Sequence, residues 1–402
     1  MSAGHGDRIG LVLGGGGLKG FAHIGVLQAL EEAGVRPAVI AGTSIGALVG
    51  AAYTAGLSAP RMASRARDFK RRDLFRLNHM GMLLERMRSP SIYLEAPLRE
   101  TVQSVVPHVR FRDLKRPLLV NTVDIERGTQ VVWGLPGLDD AFVDDAVYAS
   151  CALPGSFPPG QVRERTCIDG GTLDNLPIAF PPMLGADVVI AVDVGSEKVG
   201  HAADAAALGF AAVYMRAATV MMDALQNQQF AARVAQPPLL LVRPRIGHIG
   251  WFTFGHAEEL IEAGYLAMRE AIADLELTAS SPTGIFPRRL VQVVVDADKC
   301  IGCGTCEALA PRIMALDERR LAHPVADNFV WSPADGDFVR HCPTEAIRVR
   351  VEGTQGAAAL PPKATEPIAV HTEPAEPTPA APRGPRIKRR SRGGAAEGEA
   401  AD

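Results

Sequence analysis

Aromatic residues make up only 5% of the 402-residue chain, so a core must be built mainly from Ala, Val, Leu and Ile. No run reaches the roughly 18 charge-free apolar residues that a membrane-spanning helix requires. A strong charge of either sign is also missing: the net charge is -3, which gives no electrostatic argument for nucleic acid, and none is expected as a partner. The start of the chain lacks a basic stretch leading into a long apolar one, because residues 9–13 are interrupted at once by Gly14–Gly17. A secretory signal is therefore not expected, and the sequence reads as that of a cytoplasmic protein. Cysteines number six, and four of them, Cys300, Cys303, Cys306 and Cys342, fall in one short region. In a chain that is not secreted, such clustering points to a metal group before disulfides. Cys151 and Cys167 stand apart and read as buried thiols.

What is present is an ordinary globular mixture, 47% hydrophobic and 22% charged, slightly rich in glycine at 40 positions. The length favours two domains and a tail. From residue 8 to about 245, short apolar runs alternate with helical patterns, which predicts an α/β fold with a mostly parallel sheet covered on both faces. Strands are expected at 9–13, 39–41, 117–123, 166–169, 187–193 and 239–243. Helices are expected at 21–33, 45–55, 203–232 and 255–275, the first two stopped by Gly34 and Gly56. The large domain is assigned to 8–279, a Ser/Pro/Gly/Arg linker to 280–290 and a small α+β domain to 291–352. Residues 353–402 are Ala, Pro, Glu and Gly with a basic cluster at 383–392; such a tail cannot bury enough apolar surface to order itself.

The first expected strand runs into Gly14-Gly15-Gly16-Gly17-Leu18-Lys19-Gly20 and then a helix, a loop whose bare N–H groups suit an anion. A dinucleotide pyrophosphate and the oxyanion of an attacked ester are both candidates. A dinucleotide site wants an acidic residue closing the second strand. Here that strand closes in Gly42-Thr43-Ser44-Ile45-Gly46, which has the G-x-S-x-G form of a nucleophile elbow between strand and helix. A serine hydroxyl needs a base. Asp169 ends a strand and is followed by Gly170 and Gly171, a pattern that also serves as an ordinary turn.

Across residues 8–245 these motifs, with His23-Ile24-Gly25-Val26-Leu27, Glu31–Gly34, Ala149–Pro158, Asn175 and Pro177, resemble the patatin-like phospholipase family in its bacterial form. The resemblance implies a patatin-like three-layer fold and hydrolysis of lipid esters, of phospholipase A or lysophospholipase type, by a Ser–Asp dyad without a catalytic histidine. Carried over by motif, Ser44 is the nucleophile, Asp169 its base, Gly15 and Gly16 the oxyanion donors, and Gly42 and Gly46 frame the elbow. Plant members of the family have an acidic residue where Gly14 stands here. His23 is read as a packing residue, and His248 and His256 as the runner-up bases.

Cys300-x2-Cys303-x2-Cys306, followed by Cys342-Pro343, supplies four thiolates in a ferredoxin arrangement, and one trio implies one [4Fe-4S] cluster. Zinc is the competing reading, but zinc ribbons pair two knuckles, whereas this set divides three and one. Residues 291–351, with Ala310-Pro311 and Ala346-Ile347, resemble single-cluster bacterial ferredoxins; the cluster's role is structural, sensory or electron-carrying, with sensing or redox coupling to a partner protein ranked first. Between Arg61 and Arg88, nine basic residues stand against three acidic ones, interleaved with Met, Phe and Leu. That mixture suits peripheral contact with an anionic membrane, or a cover over the active site, or both. A second function class stays open: a redox-sensing or electron-transfer protein whose patatin domain acts as a membrane-associated scaffold.

Overall fold

The computed structural model describes residues 8–78, 91–195, 209–232 and 237–351. The basic segment beyond residue 78 and the tail beyond residue 351 lie outside the described residues.

The central sheet has nine strands: β1 Ile9–Leu13, β2 Val39–Thr43, β3 Leu118–Asp124, β4 Thr129–Trp133, β5 Gly160–Val162, β6 Arg165–Asp169, β7 Val188–Val192, β8 Leu239–Val242 and β9 Ile285–Phe286. Their order is β5-β6-β3-β2-β1-β7-β8-β9, with β4 paired to β3. From β3 to β9 neighbours along that order run parallel, whereas β4, β5 and β6 form an antiparallel flank. β2, β3, β7 and β8 are buried along their whole length, as expected where both faces are covered. The alternation of strand side chains divides the core accordingly. Leu11, Leu13, Ile40 and Ile190 belong to the larger apolar cluster, and Val12, Ala41, Val189 and Ala191 to the one on the opposite face.

The larger face is covered by α1 Ala22–Glu32, α2 Ile45–Thr54, α3 Ala59–Asp68, α4 Glu95–Val105, α5 Val143–Cys151 and α7 Ala257–Ile272, with α6 Gly209–Ala232 lying between α5 and α7 in sequence. α1 and α7 cross backbone to backbone: a Cβ on Gly25 would fall 1.8 Å from the Ile261 carbonyl oxygen, and one on Gly264 would fall 1.9 Å from that of Ala22.

The C-terminal part is a three-stranded antiparallel sheet ordered β13-β10-β14, with β10 Arg289–Val295, β13 Phe329–Trp331 and β14 Ile347–Val351, plus the hairpin β11 Met314–Leu316 and β12 Ala322–Pro324. Its own small core includes Val291, Val293, Cys306, Met314, Trp331, Phe338 and Ile347. The segment expected as a linker contributes structure, because Ile285 and Phe286 add β9 to the edge of the central sheet. Asn227 on α6 donates to Asp337 Oδ1 at 2.9 Å, and Arg243 Nη1 donates to the Pro333 carbonyl at 2.6 Å. These contacts join the small domain to the large one, and the described residues of both belong to one compact unit.

Candidate active site

Ser44 occupies the turn between β2 and α2 with φ 54 and ψ -127, a left-handed φ that a non-glycine residue holds only where its surroundings enforce it. The flanking glycines let the turn close. A Cβ on Gly46 would lie 2.1 Å from the Leu13 carbonyl oxygen, and one on Gly42 would lie 2.6 Å from the Ala47 nitrogen. The Ser44 N–H donates to Ser150 Oγ at 2.8 Å, and that hydroxyl in turn donates to the Asn121 carbonyl at 2.7 Å. The Ser44 carbonyl accepts from Leu48 at 3.1 Å and starts the helix. With both backbone groups committed, the hydroxyl is the polar group Ser44 has left to offer.

Asp169 ends β6, two strands away. Thr43 pairs with Asn121 across β2 and β3, and Thr122 pairs with Asp169 across β3 and β6, so the carboxylate stands level with the elbow. It is 5% exposed, accepts the Gly171 N–H at 2.8 Å and lines the same cavity as Ser44. Burial raises its pKa from 3.8 to about 6, against the opposing pull of the Ser44 hydroxyl and the Gly171 amide. The half-buried Cys151 thiol lines the same cavity, and burial together with the Asp169 charge pushes its pKa well above the ordinary thiol value.

The glycine loop approaches from β1: a Cβ on Gly15 would lie 3.2 Å from Ser44 Cβ. The Gly14 N–H donates to the Val192 carbonyl at 3.0 Å, and the Gly15 N–H makes a long bond of 3.3 Å to the Asn175 carbonyl. The N–H groups of Gly16 and Gly17 find no acceptor among the described residues. His23 is fully buried on α1, with Nε2 2.8 Å from the Gly14 carbonyl and a pKa lowered to about 4 by desolvation. A neutral ring therefore donates to the loop and steadies it. His248 and His256 both pair with the exposed Glu259, at 2.6 Å and 2.8 Å, and neither lines the cavity at Ser44.

That cavity has a volume of about 470 Å³, and its wall includes Ser44, Asp169, Cys151, Gly17, Leu48, Leu98, Leu153 and Trp251. Its size lies within the range of roughly 300–1,000 Å³ typical of small-ligand sites. Of the scarce aromatics, Phe21, Phe69, Phe157 and Phe252 line it and, with Phe75, Tyr93 and Phe254, form one chain of ring contacts. α3 buries Met62, Ala63 and Ala66 and leaves Arg61, Arg65 and Arg67 exposed, and Met62, Arg65 and Ala66 line the cavity.

In the C-terminal part, Cys300, Cys303, Cys306 and Cys342 line one hollow. Backbone N–H groups of Ala322 and Ala346 lie 3.4 Å from Cys300 Sγ and 3.3 Å from Cys342 Sγ. Gly302 and Gly304, at φ 68 and 78, make the loop turn between the thiols. No three His, Cys, Asp or Glu side chains among the described residues converge closely enough to hold a single metal ion.

Residues 11–181 match the family model of the patatin-like phospholipases, and residues 295–349 match that of the 4Fe-4S single cluster domain of ferredoxin I. Among curated relatives, lysophospholipase nte1 of Emericella nidulans is 29% identical over 298 residues, covering 69% of this chain and 19% of that protein. An uncharacterized NTE family protein of Mycobacterium bovis is 36% identical over 198 residues, covering 49% of this chain and 52% of its own. The chain thus spans about a fifth of the fungal relative and about half of the mycobacterial one. Among solved structures, VipD from Legionella pneumophila aligns at 15% identity with a TM-score of 0.35, covering 67% of each chain.

Proposed function

We propose that this chain, which carries a patatin-like phospholipase domain and a ferredoxin-type 4Fe-4S domain, is a serine acyl hydrolase of phospholipase A or lysophospholipase type. The observation that carries this reading is that Ser44, strained at the elbow, and the buried Asp169 share the wall of one largely apolar cavity.

Asp169 takes the hydroxyl proton as Ser44 Oγ attacks the ester carbonyl, and its raised pKa suits a base that must also give the proton back. The alkoxide that forms on the carbonyl oxygen is met by the glycine loop. Gly16 offers an open N–H, and Gly15 one held by a 3.3 Å bond that a charged acceptor displaces. The alcohol leaves with the proton and an acyl-Ser44 ester remains. Water, deprotonated by Asp169, releases the fatty acid and restores the hydroxyl. No histidine is invoked, because the cavity that holds Ser44 and Asp169 has none among the described residues of its wall.

The thiols of Cys300, Cys303, Cys306 and Cys342 would hold the cluster, and the Ala322 and Ala346 amides beside two of the sulfurs suit anionic thiolates. When bound, such a cluster supplies one-electron transfer. The exposed arginines of α3 would bring the cavity to an anionic membrane surface.

Labelling with a fluorophosphonate probe and hydrolysis of a lysophospholipid test the proposal together. The native chain should be labelled at Ser44 and release fatty acid, and Ser44→Ala should do neither. Full hydrolysis by Ser44→Ala would overturn the proposal.

A further inference from the structure

Asn175 lies on neither the nucleophile strand nor the base strand, yet it addresses one residue of the glycine loop twice. Its main-chain carbonyl accepts the Gly15 N–H at 3.3 Å, and its side-chain Nδ2 donates to the Gly15 carbonyl at 3.2 Å. The side chain is 6% exposed, and its Oδ1 has no partner among the described residues. A buried amide with an unsatisfied acceptor costs stability, so its retention asks for a reason other than packing. Space around it is tight: a Cβ on Gly15 would sit 2.5 Å from Asn175 Oδ1, and one on Gly195 would sit 2.5 Å from Nδ2.

The peptide joining Gly15 to Gly16 is planar and trans, so its C=O and N–H point in opposite directions. Fixing the Gly15 carbonyl toward Asn175 therefore turns the Gly16 N–H away from Asn175. That N–H is one of the loop donors with no acceptor among the described residues, on a loop whose Gly15 Cβ direction meets Ser44 Cβ at 3.2 Å. His23 acts one peptide earlier, holding the Gly14 carbonyl at 2.8 Å, so two successive peptides of the loop are fixed by buried side chains. Asn175 also follows Asp169 by a short stretch that includes the Gly171 amide bonded to that carboxylate.

We infer that Asn175 is a positioning residue for oxyanion stabilisation: its side-chain amide clamps the Gly15 carbonyl so that the Gly16 N–H is preset for the alkoxide of the tetrahedral intermediate. This rests on the Ser44–Asp169 reading of the site. Asn175 touches no substrate atom, and its effect is confined to the state in which negative charge appears on the carbonyl oxygen.

The test compares the full chain with Asn175→Asp, a near-isostere without the donor, and with Asn175→Ala. Three quantities are read: kcat and KM on a soluble ester, affinity for a lipid trifluoromethyl ketone that forms an oxyanion adduct on serine, and affinity for an ether lysolipid that cannot react. The inference expects kcat to fall about 10- to 100-fold, less than the full loss of an oxyanion donor. Ketone affinity should fall in step, while KM and ether-lipid affinity stay within about twofold. Unchanged kcat and ketone affinity in folded variants would overturn it, as would equal losses of ketone and ether-lipid affinity, which mark a general collapse of the site. If neither variant folds, amide NMR of the native chain decides: the Gly16 proton should shift downfield on forming the ketone adduct, and an unmoved Gly16 signal refutes the clamp. Hydrolysis surviving in Ser44→Ala would instead remove the underlying reading, so the two failures are distinguishable.

Discussion

Ser44 follows β2 and Asp169 ends β6, with β3 between those strands, and both nevertheless line one cavity. The pairings of Thr43 with Asn121 and of Thr122 with Asp169 set both residues at one level of the sheet. The antiparallel flank brings this about, since it returns the chain alongside β3 and ends β6 at the height of the elbow. Ser44→Ala removes the attacking oxygen and Asp169→Asn removes the base. Each should lower turnover of a soluble ester by about 10³-fold or more while leaving circular dichroism unchanged. Because the pair acts as a unit, the double variant should be scarcely slower than either single one. Near-normal turnover in Asp169→Asn would refute the dyad.

As the proposed base, the same carboxylate should set the pH profile. Only ionised Asp169 accepts the serine proton, and its pKa is raised to about 6 by burial. Turnover should therefore rise with pH through about 6 and level off above it. A rate that is flat between about pH 4.5 and 8, measured on an uncharged soluble ester, would assign the base elsewhere.

A stability consequence follows from the same shift. A carboxyl whose folded pKa lies above its unfolded value binds its proton more tightly when folded. Its ionised form then costs stability, a cost absent below the unfolded pKa of 3.8 and fully developed above the folded value of about 6. Asp169→Asn should thus melt higher than the native chain at pH 7.5, by an amount bounded by about 3 kcal/mol at 1.36 kcal/mol per unit. The advantage should disappear below about pH 4. Equal melting temperatures at neutral pH would mean that Asp169 is better solvated than its burial implies.

Much of this site was legible in the sequence because its chemistry sits in local motifs. The elbow glycines, the loop Gly14–Gly17 and the Asp-Gly-Gly turn each carry their reason in neighbouring residues. The parallel strands were legible too, since burial on both faces leaves uninterrupted apolar runs, and β1 spans the expected residues 9–13. The antiparallel flank was less so: β4 reads Thr129-Gln130-Val131-Val132-Trp133 and β5 has three residues, too short for a periodic signal. Ser150, whose hydroxyl holds the Ser44 N–H, was invisible for a different reason. Its partner lies 106 positions away, and nothing in the local sequence of α5 marks it.

Membrane contact, if carried by the basic segment, should follow salt. Lys70, Arg71 and Arg72 are exposed beside the cavity cover, and exposed charges are screened over about 8 Å at physiological ionic strength. Binding to vesicles containing phosphatidylserine should weaken steeply from about 50 to 300 mM salt. Replacing all three residues with Gln should reproduce the high-salt value. Salt-independent binding would leave this segment only its role as a cover.

The last prediction concerns the cluster domain. Ester hydrolysis transfers an acyl group and protons but no net electrons, so a cluster held by Cys300, Cys303, Cys306 and Cys342 has no part in the bond-breaking step. It can still act through the protein. The short helix Asp337–Arg340 lies just before Cys342 and receives the Asn227 amide at 2.9 Å from α6. On that same helix, Gln226 bonds Asp193 at 2.8 Å, and Met222 Cε comes within 3.0 Å of where a Gly171 Cβ would stand, next to the Asp169 turn. A change at the thiols thus has a contiguous set of contacts to follow toward the Asp169 turn. Anaerobically prepared native chain should be brown, with about four irons per chain and a visible band that bleaches on reduction. Cys303→Ser should lose the colour and the iron while hydrolysing a soluble ester within roughly tenfold of the native rate, a barrier change of about 1.4 kcal/mol. Asn227→Ala should keep colour and iron but uncouple any difference in hydrolysis between the oxidised and reduced states. Colourless protein with one bound zinc would overturn the cluster assignment, and loss of all esterase activity in Cys303→Ser would make the domain a structural support of the hydrolase.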